Sequence, residues 1–251
     1  MKSVFIFLFL HQAIILNLVI SSRSEPLNSD IFRCRKDTGN FPSKGGYKQE
    51  LSEALKWLDD NFKTNKFKFS YYGSSFGGLL AAATCPAYIK TEACASCMKS
   101  TFPQLVQKCP QQKQALAWTR KCMVQYAPNA TELYNMNWFI AHEASENKTK
   151  EVLGLKNALA KLADNDMLVY EAAMNRDGGR YAYGTQAYGL GLVVHMVMQC
   201  AHHDRFLSGP CRTCLLLVIG EMKSCCSGAI AATVFNPRCF VRYAHTDFRT
   251  S

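Results

Sequence analysis

The sequence predicts two tandem α+β domains, each cross-linked by disulfide bonds. Three observations predict this fold class: the 251 residues include 12 cysteines, most of these cysteines recur at one offset, and each half carries helical stripes followed by strand-like runs. The hydrophobic set makes up 48% of the chain, with only 15 glycines and 8 prolines, so the composition excludes disordered and collagen-like chains.

The cysteines show an internal duplication. Adding 117 to four cysteine numbers of the first half gives four of the second half: Cys94, Cys97, Cys109 and Cys122 land on Cys211, Cys214, Cys226 and Cys239. Cys85 misses Cys200 by two residues, as after a short insertion. We therefore expect two domains, over residues 27–131 and 133–248.

The N-terminal residues 1–22 predict a cleaved signal peptide, because the positive Lys2 precedes an apolar stretch, Val4 to Ile20, and small serines. No later stretch reaches 18 apolar residues, so no membrane span is expected. In the oxidising secretory route cysteines form disulfides, and the sequons at Asn129 and Asn147 are expected glycosylation sites.

The order of elements is similar in the two halves. A helical stripe runs from Tyr47 to Phe62 and another from Val152 to Leu162. The first half then predicts strands at Phe67–Tyr72 and Gly78–Cys85, a helix at Cys94–Lys108, and strands at Gln114–Thr119 and Cys122–Tyr126. The second half predicts strands at Met167–Met174 and Leu190–Cys200, a helix at Cys211–Ser224, and strands at Ala229–Val234 and Cys239–Tyr243. Without regular βαβ alternation, this order favours helices on one face of an antiparallel sheet. The polar stretch Pro128–Lys150 is interpreted as the linker.

No local motif predicts catalysis. His-Glu-x-x-His and phosphate-loop patterns are absent from the sequence, and Gly73-Ser74-Ser75-Phe76-Gly77, which has the Gly-x-Ser-x-Gly spacing, belongs to a Ser- and Gly-rich stretch that is interpreted as a turn. The pairs Cys94-x2-Cys97 and Cys211-x2-Cys214 belong to larger spacings in separate repeats, which favours disulfides over a redox or zinc site. His202-His203-Asp204 is interpreted as a solvated turn. We expect a non-enzymatic protein with no cofactor and no metal.

The net charge of +10 is distributed in short clusters. For an exported protein it favours an acidic polysaccharide or an anionic membrane surface over nucleic acid, although plain solubility explains the charge equally well.

The spacing Cys85-x8-Cys94-x2-Cys97, followed by Cys109 and Cys122, resembles the ginkbilobin-like (stress-antifungal) domain of plants. The second half resembles another copy, and the whole chain resembles the cysteine-rich repeat secretory proteins. The resemblance implies two helices against a five-stranded antiparallel sheet in each domain. It also implies five disulfides: Cys34–Cys109, Cys85–Cys94, Cys97–Cys122, Cys200–Cys211 and Cys214–Cys239.

Two departures from the family pattern stand out. The second copy lacks its opening cysteine, where Ile140 is expected to stand, so Cys225 and Cys226 have no assigned partners. Free thiols, a vicinal disulfide and bridges between chains all remain open for this pair.

The second departure concerns the residues that mannose-binding members use. Those members have Asn, Arg and Glu at three positions, which the resemblance places at Arg35, Leu116 and Ala127 here. In the second copy the last two positions are Thr233 and Ala244. None matches, so we expect no mannose binding through that site.

The resulting expectation is a secreted, apoplastic protein that binds cell-wall carbohydrate or another extracellular ligand in stress or defence. The alternative is an extracellular protein-interaction module that partners membrane-bound relatives. Neither interpretation involves nucleic acid or a membrane span.

Overall fold

The structure is a computed structural model that describes residues 25–26, 30–42, 46–64, 69–73, 79–133, 135, 139–164, 166–174, 181–201 and 208–249. The expected signal peptide and His202-His203-Asp204 lie outside these ranges. Among the helices that are described, none combines the length and the apolar character needed to cross a bilayer.

The first domain contains two long helices and five strands. In chain order its elements are β2 (Ile31–Asn40), α1 (Tyr47–Thr64), β3 (Phe69–Gly73), β4 (Leu80–Thr84), α2 (Thr91–Lys108), β5 (Gln112–Trp118), β6 (Met123–Ala127) and the short α3 (Ala130–Leu133). A two-residue strand, β1 (Glu25–Pro26), precedes them. The helix α2 continues through Pro103.

The second domain repeats this order with one helix inserted before its second strand, and in the described residues it has no counterpart of α3. Its elements are β7 (Ala141–Ala144), α4 (Val152–Ala163), α5 (Asp166–Met174), β8 (Tyr181–Tyr188), β9 (Leu192–Cys200), α6 (Ser208–Cys225), β10 (Ala231–Asn236) and β11 (Cys239–Ala244).

Each domain has a five-stranded antiparallel sheet, as the family resemblance implied. The strand orders are β2-β5-β6-β4-β3 and β7-β10-β11-β9-β8, and these orders are equivalent along the chain. The strand β1 extends the second sheet by pairing in parallel with β7. The N-terminal segment before the first domain therefore joins the sheet of the second.

Two expectations about the elements were wrong. The predicted strand Met167–Met174 is the helix α5, because its buried residues recur with helical spacing: Leu168, Val169, Ala172 and Ala173. The strand beside β9 is instead β8. The polar stretch Pro128–Lys150 contains the edge strand β7 and is not simply a linker.

Each domain has its own core between its helices and one face of its sheet. In the first domain, Leu58 of α1 and Met98 and Leu105 of α2 are fully buried against this face. In the second, Leu155 of α4 and Val218 of α6 are buried in the same way. Apolar residues at helical spacing thus hold the helices on one face of each sheet.

A third apolar cluster lies between the two domains. Trp118 of β5 stacks on Phe235 of β10, with ring centroids 4.2 Å apart and planes 12° apart. These residues are 117 apart, so each packs against its own counterpart, as expected around an approximate twofold axis. Gln199 Nε2 donates to the Cys85 carbonyl at 2.9 Å, and Thr84 Oγ1 donates to the Ala201 carbonyl at 3.0 Å.

Six disulfides include all 12 cysteines: Cys34–Cys109, Cys85–Cys94, Cys97–Cys122, Cys200–Cys211, Cys214–Cys239 and the vicinal pair Cys225–Cys226. The sheet register locates the cysteine that the second domain lacks. Cys34 lies opposite Ala115 and Ala144 lies opposite Ala232, which is 117 residues after Ala115. Ala144, and not Ile140 as expected, therefore occupies the position of Cys34.

Candidate functional site

A polar cavity lies where the two domains meet. A cavity of about 610 Å³ forms between the helix α2, the end of β5 and the strand β7 of the second domain. Its lining includes hydroxyl and amide side chains from the first domain: Ser96, Ser100, Thr101, Gln104 and Thr119. Trp118 also lines the cavity, and its ring stacks on Phe235.

A second cavity of about 580 Å³ continues along β7, β10 and β11 of the second domain. Arg120 and Glu143 line both cavities, so the two meet at this pair. We call the two cavities together the junction groove. Because it needs residues from both domains, it is a property of the tandem arrangement.

Arg120 and Glu143 form an ion pair across the domain boundary. The hydrogen bond to Glu143, reinforced by its charge, raises the pKa of the Arg120 guanidinium. The Arg120 side chain is largely exposed, and exposed ion pairs contribute little to stability. The arginine can therefore exchange this partner for another carboxylate. Lys121, which is also exposed, adds a second positive charge to the lining.

Arg242, which lines the second cavity, packs against two aromatic rings. Arg242 lies 5.2 Å from the ring centroids of both Tyr88 and Phe248, and its Nη1 donates to the Tyr88 hydroxyl at 3.0 Å. Burial raises the pKa of Tyr88, and the nearby Arg242 charge opposes this shift. These contacts join the loop after β4 to β11 and fix the orientation of Arg242.

The positions that the family resemblance assigns to a mannose site are closed in the first domain. Leu116 and Ala127 are fully buried. Arg35 is held by Asp37 and Glu132, and its hydrogen bond to Asp37 is the main cause of its raised pKa.

In the second domain one of the equivalent positions is buried and the other lines a cavity. Ala244 is buried in the cluster between the domains, whereas Thr233 lines the second cavity beside Ser145. Neither copy brings three polar side chains together at these positions.

Both sequons lie on the surface. Asn129 is exposed and its Oδ1 accepts a hydrogen bond from the Glu132 amide at 2.9 Å, at the start of α3. Asn147 is exposed in the loop between β7 and α4.

One group of potential metal ligands comes together within the described residues: His142, Glu221 and Cys225. Burial lowers the pKa of His142, while Glu221 opposes this shift. In the oxidised protein the sulfur of Cys225 is bonded to Cys226, so only the imidazole and the carboxylate are available as strong ligands.

Sequence reasoning did not identify Arg120 or Glu143. They lie 23 residues apart in different domains, and nothing in their local sequence distinguishes them from other surface charges. Only the packing of one sheet against the other brings them together.

Comparison with known protein families identifies one domain directly. Residues 33–129 match the family described as "Salt stress response/antifungal". The chain is 25% identical over 221 residues to cysteine-rich repeat secretory protein 38 of Arabidopsis thaliana, covering 84% of this chain and 82% of that protein. It is 24% identical to putative cysteine-rich repeat secretory protein 61 of the same plant, covering 89% and 85%.

Receptor-like relatives also match, over part of their length. Cysteine-rich receptor-like protein kinase 27 of Arabidopsis thaliana is 26% identical, and the match covers 84% of this chain but 32% of the kinase.

Among solved structures, the tandem DUF26 ectodomain of the Arabidopsis thaliana cysteine-rich receptor-like protein PDLP8 has a TM-score of 0.64 at 17% identity, covering 86% of this chain and 98% of that one. The corresponding ectodomain of PDLP5 has a TM-score of 0.61 at 19% identity. The two-domain fold is therefore that of a tandem DUF26 ectodomain.

Proposed function

Since the chain belongs to the cysteine-rich repeat secretory proteins and has the tandem DUF26 ectodomain fold, we propose that it is a non-enzymatic apoplastic binding protein for acidic cell-wall polysaccharide. The junction groove is the proposed binding site. The observation that carries this proposal is the lining of the groove, which combines hydroxyl and amide side chains with the cations Arg120, Lys121 and Arg242. The carboxylates of Asp30, Glu143 and Glu146 also line it, so an acidic ligand has to displace Glu143 from Arg120. The stress-response and antifungal description of the matching family supports a role in stress or defence.

The chemistry of the groove suits a chain of uronic acids. Serine and threonine hydroxyls and the Gln104 amide both donate and accept hydrogen bonds, as sugar hydroxyls require. Arg120 and Lys121 offer charge-assisted hydrogen bonds to carboxylates. The net charge of +10 attracts a polyanion from a distance.

Calorimetric titration with oligogalacturonides of defined length tests this proposal. We expect Arg120→Ala and Lys121→Ala each to weaken binding by about tenfold or more, because each removes a charge-assisted hydrogen bond. Lys161→Ala is the matched control, since it removes one exposed positive charge from α4, outside the groove. Equal weakening by all three variants would mean nonspecific attraction to the net charge and would overturn the groove as the site.

Neutral mannan is the informative comparison ligand. We expect no binding of mannan through the positions of Leu116 and Ala127, because both side chains are apolar and fully buried. Mannan binding that disappears on substitution of Leu116 or Ala127 would contradict this expectation.

A specific observation also favours the alternative, an extracellular protein-interaction module. The turn between β8 and β9 carries Leu190, which is 95% exposed, and packs beside the start of α4, where Leu153 is 72% exposed. We call these two leucines the apolar tip. Exposed apolar residues of this kind are typical of protein contact sites.

Binding to ectodomains of the cysteine-rich receptor-like relatives separates the two functions. If the apolar tip binds such a partner, Leu190→Asp abolishes the binding and Lys121→Ala preserves it. If the groove is the functional site, oligogalacturonide binding shows the opposite response to the same two variants.

A further inference from the structure

The vicinal disulfide has no structural role comparable to that of the other five bridges. Cys226 corresponds to Cys109, but the position of its expected partner is held by Ala144. Cys225 and Cys226 are adjacent in the sequence, so the disulfide between them closes a loop that contains no other residues. The other five disulfides join cysteines that are between 9 and 75 positions apart in the sequence, and they therefore close longer loops. Breaking the vicinal bond therefore releases little chain entropy and leaves the fold in place.

The vicinal pair lies beside two side chains of types that commonly bind metals, a histidine and a glutamate. Glu221 and Cys225 are four residues apart on α6 and therefore share one face of the helix. His142 of β7 lies under this face, with its Nδ1 4.0 Å from Glu221 Oε1. The nitrogen, a carboxylate oxygen and the Cys225 sulfur all lie within 4.8 Å of one another. Ligands of a tetrahedral zinc ion are roughly 3.5 Å apart, given Zn–S of about 2.3 Å and Zn–N of about 2.0 Å.

The first domain has a different group at the equivalent positions. The sheet register and the offset of 117 place Phe32, Gln104 and Lys108 where the second domain has His142, Glu221 and Cys225. There the ammonium of Lys108 lies 4.6 Å from the centroid of the Phe32 ring. One fold position thus holds a cation–π contact in the first domain and three metal-binding side chains in the second.

We propose that the second domain contains a redox-gated site for a divalent cation of the zinc type, formed by His142, Glu221 and the thiolate that reduction of the Cys225–Cys226 disulfide releases. Thiolate, imidazole and carboxylate together match the ligand preference of Zn²⁺, with water as a fourth ligand. In the oxidised protein the site lacks its thiolate and binds the cation weakly.

The reductant is a low-molecular-weight thiol, and two equivalents supply the two electrons. The first thiolate attacks the sulfur of Cys225, which is partly exposed, whereas Cys226 is only 1% exposed. A mixed disulfide forms at Cys225, and Cys226 leaves as a thiolate that takes up a proton. The second thiolate then attacks the reductant sulfur, which releases the oxidised reductant and the thiol of Cys225. Zn²⁺ finally displaces the proton of Cys225, and the bound metal protects that sulfur from reoxidation.

A pair of single substitutions tests the site without any reductant. Cys226→Ala leaves one thiol, on Cys225, beside His142 and Glu221, whereas Cys225→Ser leaves one thiol on the buried Cys226. Both variants lack the vicinal bond, so they are matched for its loss. With Co²⁺ as the probe, we expect Cys226→Ala to show a thiolate-to-cobalt charge-transfer band that saturates at one equivalent and is abolished by Zn²⁺. We expect Cys225→Ser to show no such band.

Two second-site variants and the unsubstituted protein complete the test. Adding His142→Ala or Glu221→Gln to Cys226→Ala should weaken Co²⁺ binding by at least about tenfold. The unsubstituted protein, treated with a monothiol and desalted, should gain one Zn²⁺ in native mass spectrometry, with alkylation confined to Cys225 and Cys226 once the metal is chelated. Equal cobalt binding by Cys225→Ser and Cys226→Ala, or failure of the reduced protein to bind Zn²⁺, would overturn the proposal.

Discussion

At the scale of single residues, Ala144 determines the chemistry of the second domain. In the first domain the equivalent Cys34 is bonded to Cys109, with Cα atoms 5.4 Å apart, and ties the edge strand to the end of the helix. With alanine at this position, Cys226 bonds to its neighbour Cys225 instead. Ala144 still packs against the core that contains Cys226, and the sheet register places it at the position of Cys34.

Restoring the missing cysteine should therefore restore the bridge. We expect Ala144→Cys combined with Cys225→Ser to form a bond to Cys226 and to raise the free energy of unfolding by about 2–4 kcal/mol, because the bond closes a long loop. Chemical denaturation under non-reducing conditions measures the change. Ala144→Ser with Cys225→Ser is the control, and equal stability of the two double variants would contradict the expectation.

His245 provides a second prediction at this scale. Burial lowers its pKa below the usual 6.5, and its Nε2 is hydrogen-bonded to the Tyr188 hydroxyl, which suits a neutral ring. The unfolded chain binds more protons than the folded one between these two pKa values. The stability from the neutral ring is thus complete above about pH 6.5 and is lost as the pH falls below it.

Thermal unfolding near pH 7.5 and pH 5.5 measures this dependence. We expect the melting temperature to fall less on acidification in His245→Gln than in the unsubstituted protein, since the amide accepts the Tyr188 hydrogen bond and does not titrate. Identical falls in the two proteins would exclude His245 as a contributor.

At the scale of elements, the second domain depends on how closely its helices approach the strand β8. Gly184 of β8 lies beneath two leucines: a Cβ atom there would be 2.9 Å from Leu162 Cδ2 of α4 and 3.1 Å from Leu168 Cδ2 of α5. A glycine at this position therefore permits the close contact between strand and helices. By contrast, a Cβ atom at Gly220 of α6 would meet nothing within 4 Å.

The two glycines should respond in opposite directions to the same substitution. Gly184→Ala is expected to destabilise the protein by about 1–3 kcal/mol, because the leucines must move. Gly220→Ala is expected to stabilise it by up to about 1 kcal/mol through helix propensity alone. Urea denaturation of the two variants measures both changes, and a stabilised Gly184→Ala would show that the leucines repack at no cost.

The same region contains a segment whose secondary structure could not be predicted from its local sequence pattern. The long helices and several strands that contain or adjoin cysteines, such as β9 and β11, were predicted because their periodicity and spacing are local, whereas β2 with Cys34 was not predicted. The segment Met167–Met174 was assigned as a strand because a short apolar run fits a buried strand or a buried helix equally well. The helical spacing of its buried residues is defined by packing across the domain core, such as that of Leu168 over Gly184, and this packing is not contained in the local sequence.

At the scale of the whole molecule, the contact between the domains could not be predicted from sequence. The duplication was visible in the cysteines, but the face that each sheet presents to the other depends on residues such as Trp118, Met123 and Phe235, which have no common local signal. The junction groove was unpredictable for the same reason, since Arg120 and Glu143 meet only across this contact.

Trp118 should therefore matter more to the whole molecule than an ordinary tryptophan. It is buried between Phe235 and Phe240 of the second domain, whereas Trp57 of α1 is 40% exposed and belongs to the first domain alone. We expect Trp118→Ala to lower the free energy of unfolding by about 3–5 kcal/mol and Trp57→Ala to lower it by less than about 2 kcal/mol.

Because each domain keeps its own core, Trp118→Ala should also separate the unfolding of the two domains into two calorimetric transitions. Since Trp118 also lines the groove, the same variant should weaken oligogalacturonide binding. A single transition with unchanged binding would show that the domains are coupled by the hydrogen bonds at their boundary, such as those of Gln199, and not by the aromatic stack.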